Sequence, residues 1–181
     1  MVRFDKESAL VIVDMLNDFV REGAVLEVPA ARALIPALQK AREAAYRAGA
    51  VVIYVCDNHR RDDPEFKAWP PHAVAGSDGA QVVGELAPGE KDLVVAKRRF
   101  SGFFGTDLDL YLREAGIKRI VLAGVLTDIC VYHTAADACM RGYEVSVLTD
   151  CVAALTEQDH NFALKQMQRL FGAALEKVGE T

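Results

Sequence analysis

Three residues of this chain have the types that covalent amide chemistry needs: Cys130, Asp14 and Lys97. A thiol must lose its proton to attack an amide carbonyl, and a carboxylate in a dry pocket can take that proton. A nearby ammonium and the unpaired N–H groups of a helix start favour a thiolate, and an oxyanion formed beside it. In IVLAGVLTDICVYHTAADACM, residues 120–140, an apolar run turns at Gly124 and carries Cys130 into the first turn of a predicted helix. Cys130 is therefore the candidate nucleophile, with a lowered thiol pKa. Asp14 is the candidate base and Lys97 the cation that holds the pair charged. Taken singly, each residue has an ordinary explanation. A cysteine in an apolar segment packs as a small core residue, Asp14 can cap a turn, and Lys97 heads a basic cluster of the kind that faces solvent.

A second constellation is Asp57, His59 and His72. Asp-x-His at a strand end, with a later His, has the chemistry of a three-ligand site for Zn²⁺ or another divalent ion, with positions left open for water or substrate. Unrelated polar loop residues share that spacing readily. Phe19 and Trp69 could wall a flat aromatic substrate or simply anchor loops. His133 lies three residues after Cys130 and shares its helical face. Because Asp14 and Lys97 already complete a set, His133 reads as a half-buried or interface histidine. Cys139 falls about half a turn round from Cys130 and reads as core, and Cys56 and Cys151 read as packing at strand ends.

The elements that must position these residues follow from hydrophobic patterning. Residues 8–14, 50–56, 92–96, 118–123 and 143–148 are short apolar runs, the pattern of strands buried on both faces of a parallel sheet. Residues 30–48, 107–115, 127–141 and 157–170 are helical, and 173–175 is a candidate sixth strand. Residues 58–90 form an irregular loop whose aromatic and apolar content predicts order and function. Strands alternating with helices imply right-handed crossovers and a parallel sheet covered on both faces. In such sheets the site lies beyond the carboxyl ends of the strands. Asp14, Asp57, Lys97, Asp150 and Cys130 would then share one sheet edge.

The chain has 181 residues, enough for a single domain over 1–181 with a sizeable core. A net charge of −5 and the lack of any long Lys/Arg run argue against a nucleic-acid surface. The apolar run 9–13 is too short for a membrane span or a signal-peptide core. The four cysteines show no disulfide-framework or CxxC spacing. A reduced, cytoplasmic protein without membrane attachment is expected.

Four blocks give these residues a family context: VIVDMLNDF at 11–19, DNH at 57–59 with WPPHAVAGSDGA at 69–80, KRRFSGFFGTDL at 97–108, and GVLTDICVYHTAADA at 124–138. In this order they resemble the isochorismatase-like cysteine hydrolases, and the nicotinamidase branch most closely. The resemblance implies a three-layer α/β/α fold with a six-stranded parallel sheet in order 3-2-1-4-5-6. It also implies an Asp14-Lys97-Cys130 triad and a non-proline cis peptide at Val125–Leu126, which would aim the Leu126 N–H, with that of Cys130, at an oxyanion. It implies a divalent metal, Zn foremost, on Asp57, His59 and His72, with Phe19 and Trp69 flanking the ring of a small amide substrate, and no organic cofactor. It implies a homo-oligomer, dimer or tetramer. Three positions depart from the branch: Leu16 replaces a Gln, Arg60-Arg61-Asp62-Asp63 replaces a stretch that often holds a further His, and Ala73 replaces a Cys. A thinner or substituted metal shell is the expected consequence. The expected reaction is hydrolysis of a nicotinamide-like carboxamide through a thioester. The rivals are a metal-independent carbamoyl or ureido amidohydrolase of the same family and a non-catalytic binding protein. Isochorismatase itself is a weaker fit, because its branch lacks the nucleophilic cysteine.

Overall fold

The computed structural model describes residues 1–179. Strand β1, Ser8–Val13, is apolar after its first residue and fully buried, because it sits at the centre of the sheet with a strand on each side. Its side chains alternate between the two faces, as strand geometry requires. Leu10 and Ile12 join one core layer, and Ala9, Val11 and Val13 join the other. Beside β1 run β2, Val51–Asp57, and β4, Arg119–Val125. The outer strands are β3, Leu93–Lys97, β5, Glu144–Ala153, and β6, Ala174–Glu176. All pairings are parallel, and the order is β3-β2-β1-β4-β5-β6.

Helix α2, Ala31–Ala48, covers one face through Ala31, Leu34, Leu38, Ala41 and Ala45, an apolar stripe at helical spacing. It ends at Gly49 in the left-handed conformation that glycine adopts without penalty. The opposite face is covered by α3, Leu108–Glu114, α4, Tyr132–Met140, and α5, Glu157–Phe171, through Leu112, Ala135, Ala138, Leu164 and Met167. Among the described residues no helix is long and apolar enough to cross a membrane.

Three predicted elements differ in ways that bear on the site. The helix expected over 127–141 begins with a π-helical turn, Thr127–Val131, and becomes α-helical only at Tyr132. The Val131 N–H reaches five residues back to the Leu126 carbonyl, at 3.1 Å. Cys130 therefore lies inside a widened turn, not in the first turn of an α-helix. Strand β5 runs to Ala153, five residues beyond its predicted end, because the register shift between Leu122 and Gly124 re-pairs Val152 and Ala153 with the end of β4. Residues 58–90 are ordered around three short 3₁₀ turns, and the loop is pinned to the segment after β1. That segment includes the one-turn helix α1, Asn17–Val20.

Candidate active site

The carboxyl ends of β1 to β4 converge on one cleft. Strand β1 delivers Asp14 in the left-handed region, φ 50°, a conformation that branched or bulky residues avoid. Strand β2 delivers Asp57, and β3 delivers Lys97 directly opposite it in register. Strand β4 ends at a cis peptide between Val125 and Leu126, as the resemblance implied, and the π-turn then brings back Cys130. Gly124 makes the close pairing of β1 and β4 possible: its φ is 103°, and a Cβ there would overlap the Val13 carbonyl.

The two constellations read separately from the sequence form a single cluster, and Lys97 joins them. Its Nζ lies 2.8 Å from Asp14 Oδ2, 2.5 Å from Asp57 Oδ1 and 3.5 Å from Cys130 Sγ, with the side chain fully buried. Asp14 Oδ1 accepts the Asp57 backbone N–H at 2.7 Å. A buried ammonium is tolerated only when paired, and here two carboxylates pair it. Burial alone would push the ammonium pKa down, but Asp14, Cys130 and Asp57 outweigh it and hold Lys97 well above the ordinary lysine value. Asp14 is raised to about 6, by burial first and then by the Asp57 charge, against the pull of Lys97.

Cys130 corrects an expectation. Burial pushes its thiol well above the usual range, and Lys97 only partly opposes this. The resting sulfur is a neutral thiol that needs a base at the moment of attack. Asp150 is a second correction. It lies within β5 and accepts the Val178 N–H, at 3.1–3.2 Å, away from the cleft. His133 is exposed, with Nδ1 donating to the Ile129 carbonyl at 2.7 Å, so its ring serves the helix turn. Cys56 and Cys151 are buried packing residues, as read; Cys139 is half-buried, with its thiol directed at the Phe171 carbonyl.

Asp57 faces two ways. Its Oδ1 meets Lys97, while Oδ2 lies 3.6 Å from His59 Nε2 and 3.8 Å from His72 Nε2. Atoms of Asp57, His59 and His72 fall within 4.8 Å of one another. Neither ring nitrogen of the fully buried His59 has a hydrogen-bond partner among the described residues, which is rare for a polar group so placed. His72 Nδ1 donates to the Pro70 carbonyl at 2.7 Å, leaving Nε2 as a lone-pair donor toward Asp57. His59 Nδ1 stands 3.4 Å from Asp63 Oδ2, close but without hydrogen-bond geometry. The residues fit a divalent cation.

Glu65 completes this end of the cleft and was not anticipated. Its Oε1 lies 3.9 Å from His59 Nε2, and its carboxylate is nearly buried, which raises its pKa. The local signal is Asp63-Pro64: Asp63 Oδ1 caps a 3₁₀ turn by accepting the Glu65 N–H at 3.1 Å, and Pro64 starts it. That turn projects a carboxylate toward His59.

The cleft is narrow and open on one side, with about 50 Å³ of space at its core. Phe19, Trp69 and Leu126 line it, and so do Leu26, Phe100 and Ile129, which the sequence reading did not single out. Phe19 meets the His72 ring edge-on, with centroids 5.5 Å apart. The lining holds the carboxylates of Asp14, Asp57 and Glu65, and among the described residues no arginine or lysine.

This fold and cleft place the chain in a known class. Residues 8–177 match the isochorismatase domain, and the chain belongs to that family. It is 33% identical over 176 residues to a probable inactive nicotinamidase of Arabidopsis thaliana, covering 91% of this chain and 90% of that protein. The N-carbamoylsarcosine amidase of Thermoplasma acidophilum superposes with a TM-score of 0.89 at 40% identity, covering 97% of this chain and 98% of that one. The pyrazinamidase of Pyrococcus horikoshii, solved in complex with zinc, superposes with a TM-score of 0.88 at 33% identity, covering 94% and 99%.

Proposed function

We propose that this protein is a cysteine amidohydrolase that converts a small, flat, nicotinamide-like carboxamide to its acid and ammonia through a thioester. The observation that carries this reading is the single buried contact set of Lys97 Nζ with Asp14, Cys130 and Asp57.

Asp14, ionised at neutral pH, takes the Cys130 proton as the sulfur attacks the carboxamide carbon. The C–S bond forms and the carbonyl electron pair moves to oxygen. The Leu126 and Cys130 N–H groups are the donors assigned to that oxyanion. Asp14 returns the proton to the leaving nitrogen, the C–N bond breaks, and ammonia departs. Asp14 then deprotonates a water that cleaves the thioester and restores the thiol. In the resting site Lys97 keeps Asp14 and Asp57 charged side by side, which two neighbouring buried carboxylates cannot manage alone.

Asp57, His59 and His72, with the Glu65 carboxylate as a fourth ligand, are the residues that would hold a divalent cation, zinc being the best chemical match to this nitrogen and oxygen set. Such an ion would supply a Lewis-acid contact for a ring nitrogen of the substrate. Phe19 and Trp69 would bracket the ring.

The similarity to the carbamoylsarcosine amidase favours a second reading, hydrolysis of a carbamoyl or ureido compound. Charge in the cleft weighs against anionic members of that group. Lys97 is fully engaged by two carboxylates, and Arg99 is engaged by Asp63 and Glu65, at 3.0 and 3.6 Å. On a metal-independent enzyme, a substrate carboxylate would enter among Asp14, Asp57 and Glu65 without a cation of the cleft wall to meet it, and like-charge placement of this kind is how sites reject ligands.

Ammonia release from nicotinamide, pyrazinamide and an N-carbamoyl amino acid, each with wild type and Cys130→Ala, tests the proposal. Turnover of the neutral aromatic amides by wild type alone is the expected result. Preference for the carbamoyl acid would install the second reading. Equal activity of Cys130→Ala would end the thioester mechanism, and a wild type inert on every amide would favour a binding protein.

A further inference from the structure

We infer that Asp18 is a positioning residue for the histidine pair of the proposed metal centre, a role that rests on the metal reading above. Asp18 lies four residues after the base Asp14, on α1, and is half-buried. Asp18 Oδ2 accepts the backbone N–H of Ala73 at 2.8 Å. Ala73 is the residue after His72, is fully buried, and holds a φ of 41°, in the left-handed region that a residue with a Cβ rarely adopts. A charge-assisted acceptor on its N–H favours that conformation. The carbonyl of the same Ala73 accepts the His59 N–H at 2.9 Å, and the Ala75 N–H returns to the His59 carbonyl at 2.9 Å. His59 and Val74 thus form a short parallel bridge. One residue, Ala73, connects both histidines, and Asp18 is the side chain that fixes it.

The far side of the carboxylate is equally constrained. Gly79 packs so closely that a Cβ built on it would fall within the Asp18 carboxylate. The neighbouring Asn17 braces the same loop, taking the Asp78 carbonyl on its side chain at 2.8 Å and the Gln81 carbonyl on its backbone N–H at 2.9 Å. The segment that leaves the base-bearing strand therefore holds the histidine loop from Ala73 to Gln81. The Asp18 carboxylate meets no candidate ligand atom, so its influence on the histidines passes through the backbone at Ala73. Residues of this kind set metal affinity because they fix ligand direction.

The test uses Asp18→Ala, Asp18→Asn and Gly79→Ala in the full chain, with two readouts. The first is amide hydrogen exchange at Ala73 and Ala75 in the metal-free protein. The second is Zn²⁺ and Mn²⁺ affinity by titration calorimetry. Asp18→Ala is expected to speed exchange at Ala73 and weaken metal binding by about 10- to 100-fold. Gly79→Ala should do the same by displacing the carboxylate, and Asp18→Asn, which keeps an acceptor oxygen, should restore most of both. Unchanged exchange at Ala73 in Asp18→Ala, or an Asn variant as impaired as the Ala variant, would overturn the role of Asp18. A wild type that takes up no metal while Asp18→Ala still frees the Ala73 amide would instead overturn the metal reading and leave Asp18 as the clamp of this loop.

Discussion

At the scale of single residues, the cluster works by withholding water from charges that must then satisfy one another. Asp14 is the one whose titration can be followed. Burial and the Asp57 charge raise it to about 6, and as the base it acts only when ionised. Activity should therefore be low below pH 6, rise through that value, and level off above it, with Asp14→Asn inactive across the range. A cation on Asp57 offsets the charge that helps raise Asp14, so added Zn²⁺ or Mn²⁺ should move the acid limb of kcat/KM to lower pH. A limb that lies well above neutrality, or one unchanged in Asp14→Asn, would sink Asp14 as the base. Asp14, Lys97 and Cys130 were legible in the sequence because each is a polar interruption at the end of an apolar strand run, or one turn past it. The protonation of Cys130 was not legible. The ammonium that lowers a thiol pKa is visible as a residue type, whereas the desolvation that outweighs it depends on how many neighbours close over the sulfur.

At the scale of elements, the pairing of β1 with β4 sets the distance between base and nucleophile. Asp14 and Cys130 hang on adjacent strands only because those strands approach closely at Val13 and Gly124. Gly124→Ala would place a side chain in a left-handed conformation, costing about 1–3 kcal/mol, and would also drive a methyl group into the Val13 backbone, which cannot swing aside as a side chain could. The variant is expected to lower the urea midpoint with an unchanged m-value and to lose amidase activity out of proportion to the fraction unfolded, because the strands can relax only by separating the triad. Wild-type activity per folded molecule would show that this register does not set the site. The strands and helices themselves were readable from period and punctuation, including the Gly49 stop of α2. The π-turn at Thr127–Val131 was not, since a hydrogen bond five residues back instead of four leaves no mark on the hydrophobic pattern. Glu65 and Asp18 were missed for a related reason. Both act across an aperiodic loop, where sequence distance does not report spatial distance.

At the scale of the whole molecule, the loop that carries His59 and His72 is a long excursion that packs on the sheet end with little secondary structure of its own, so its order bears directly on the cleft. His59 is buried with both ring nitrogens unpartnered among the described residues, and burial would lower its pKa were it not for Asp57, Asp63 and Glu65, which outweigh burial and raise it. Folding thus sets an imidazole among three carboxylates, and a divalent ion bound there adds its affinity to the stability of the native state alone. At a free ion concentration one hundred times Kd the gain is about 2.7 kcal/mol, which for a chain of this size raises Tm by roughly 5–10 °C. Differential scanning calorimetry of chelated protein against protein with Zn²⁺ should show that rise. His72→Ala, which removes a ligand and leaves the buried triad in place, should abolish most of it. An increase that persists in His72→Ala would assign the stabilisation to ion binding elsewhere on the surface. The absence of any increase in wild type would leave Asp57, His59 and His72 as a hydrogen-bonding group on a metal-independent amidase.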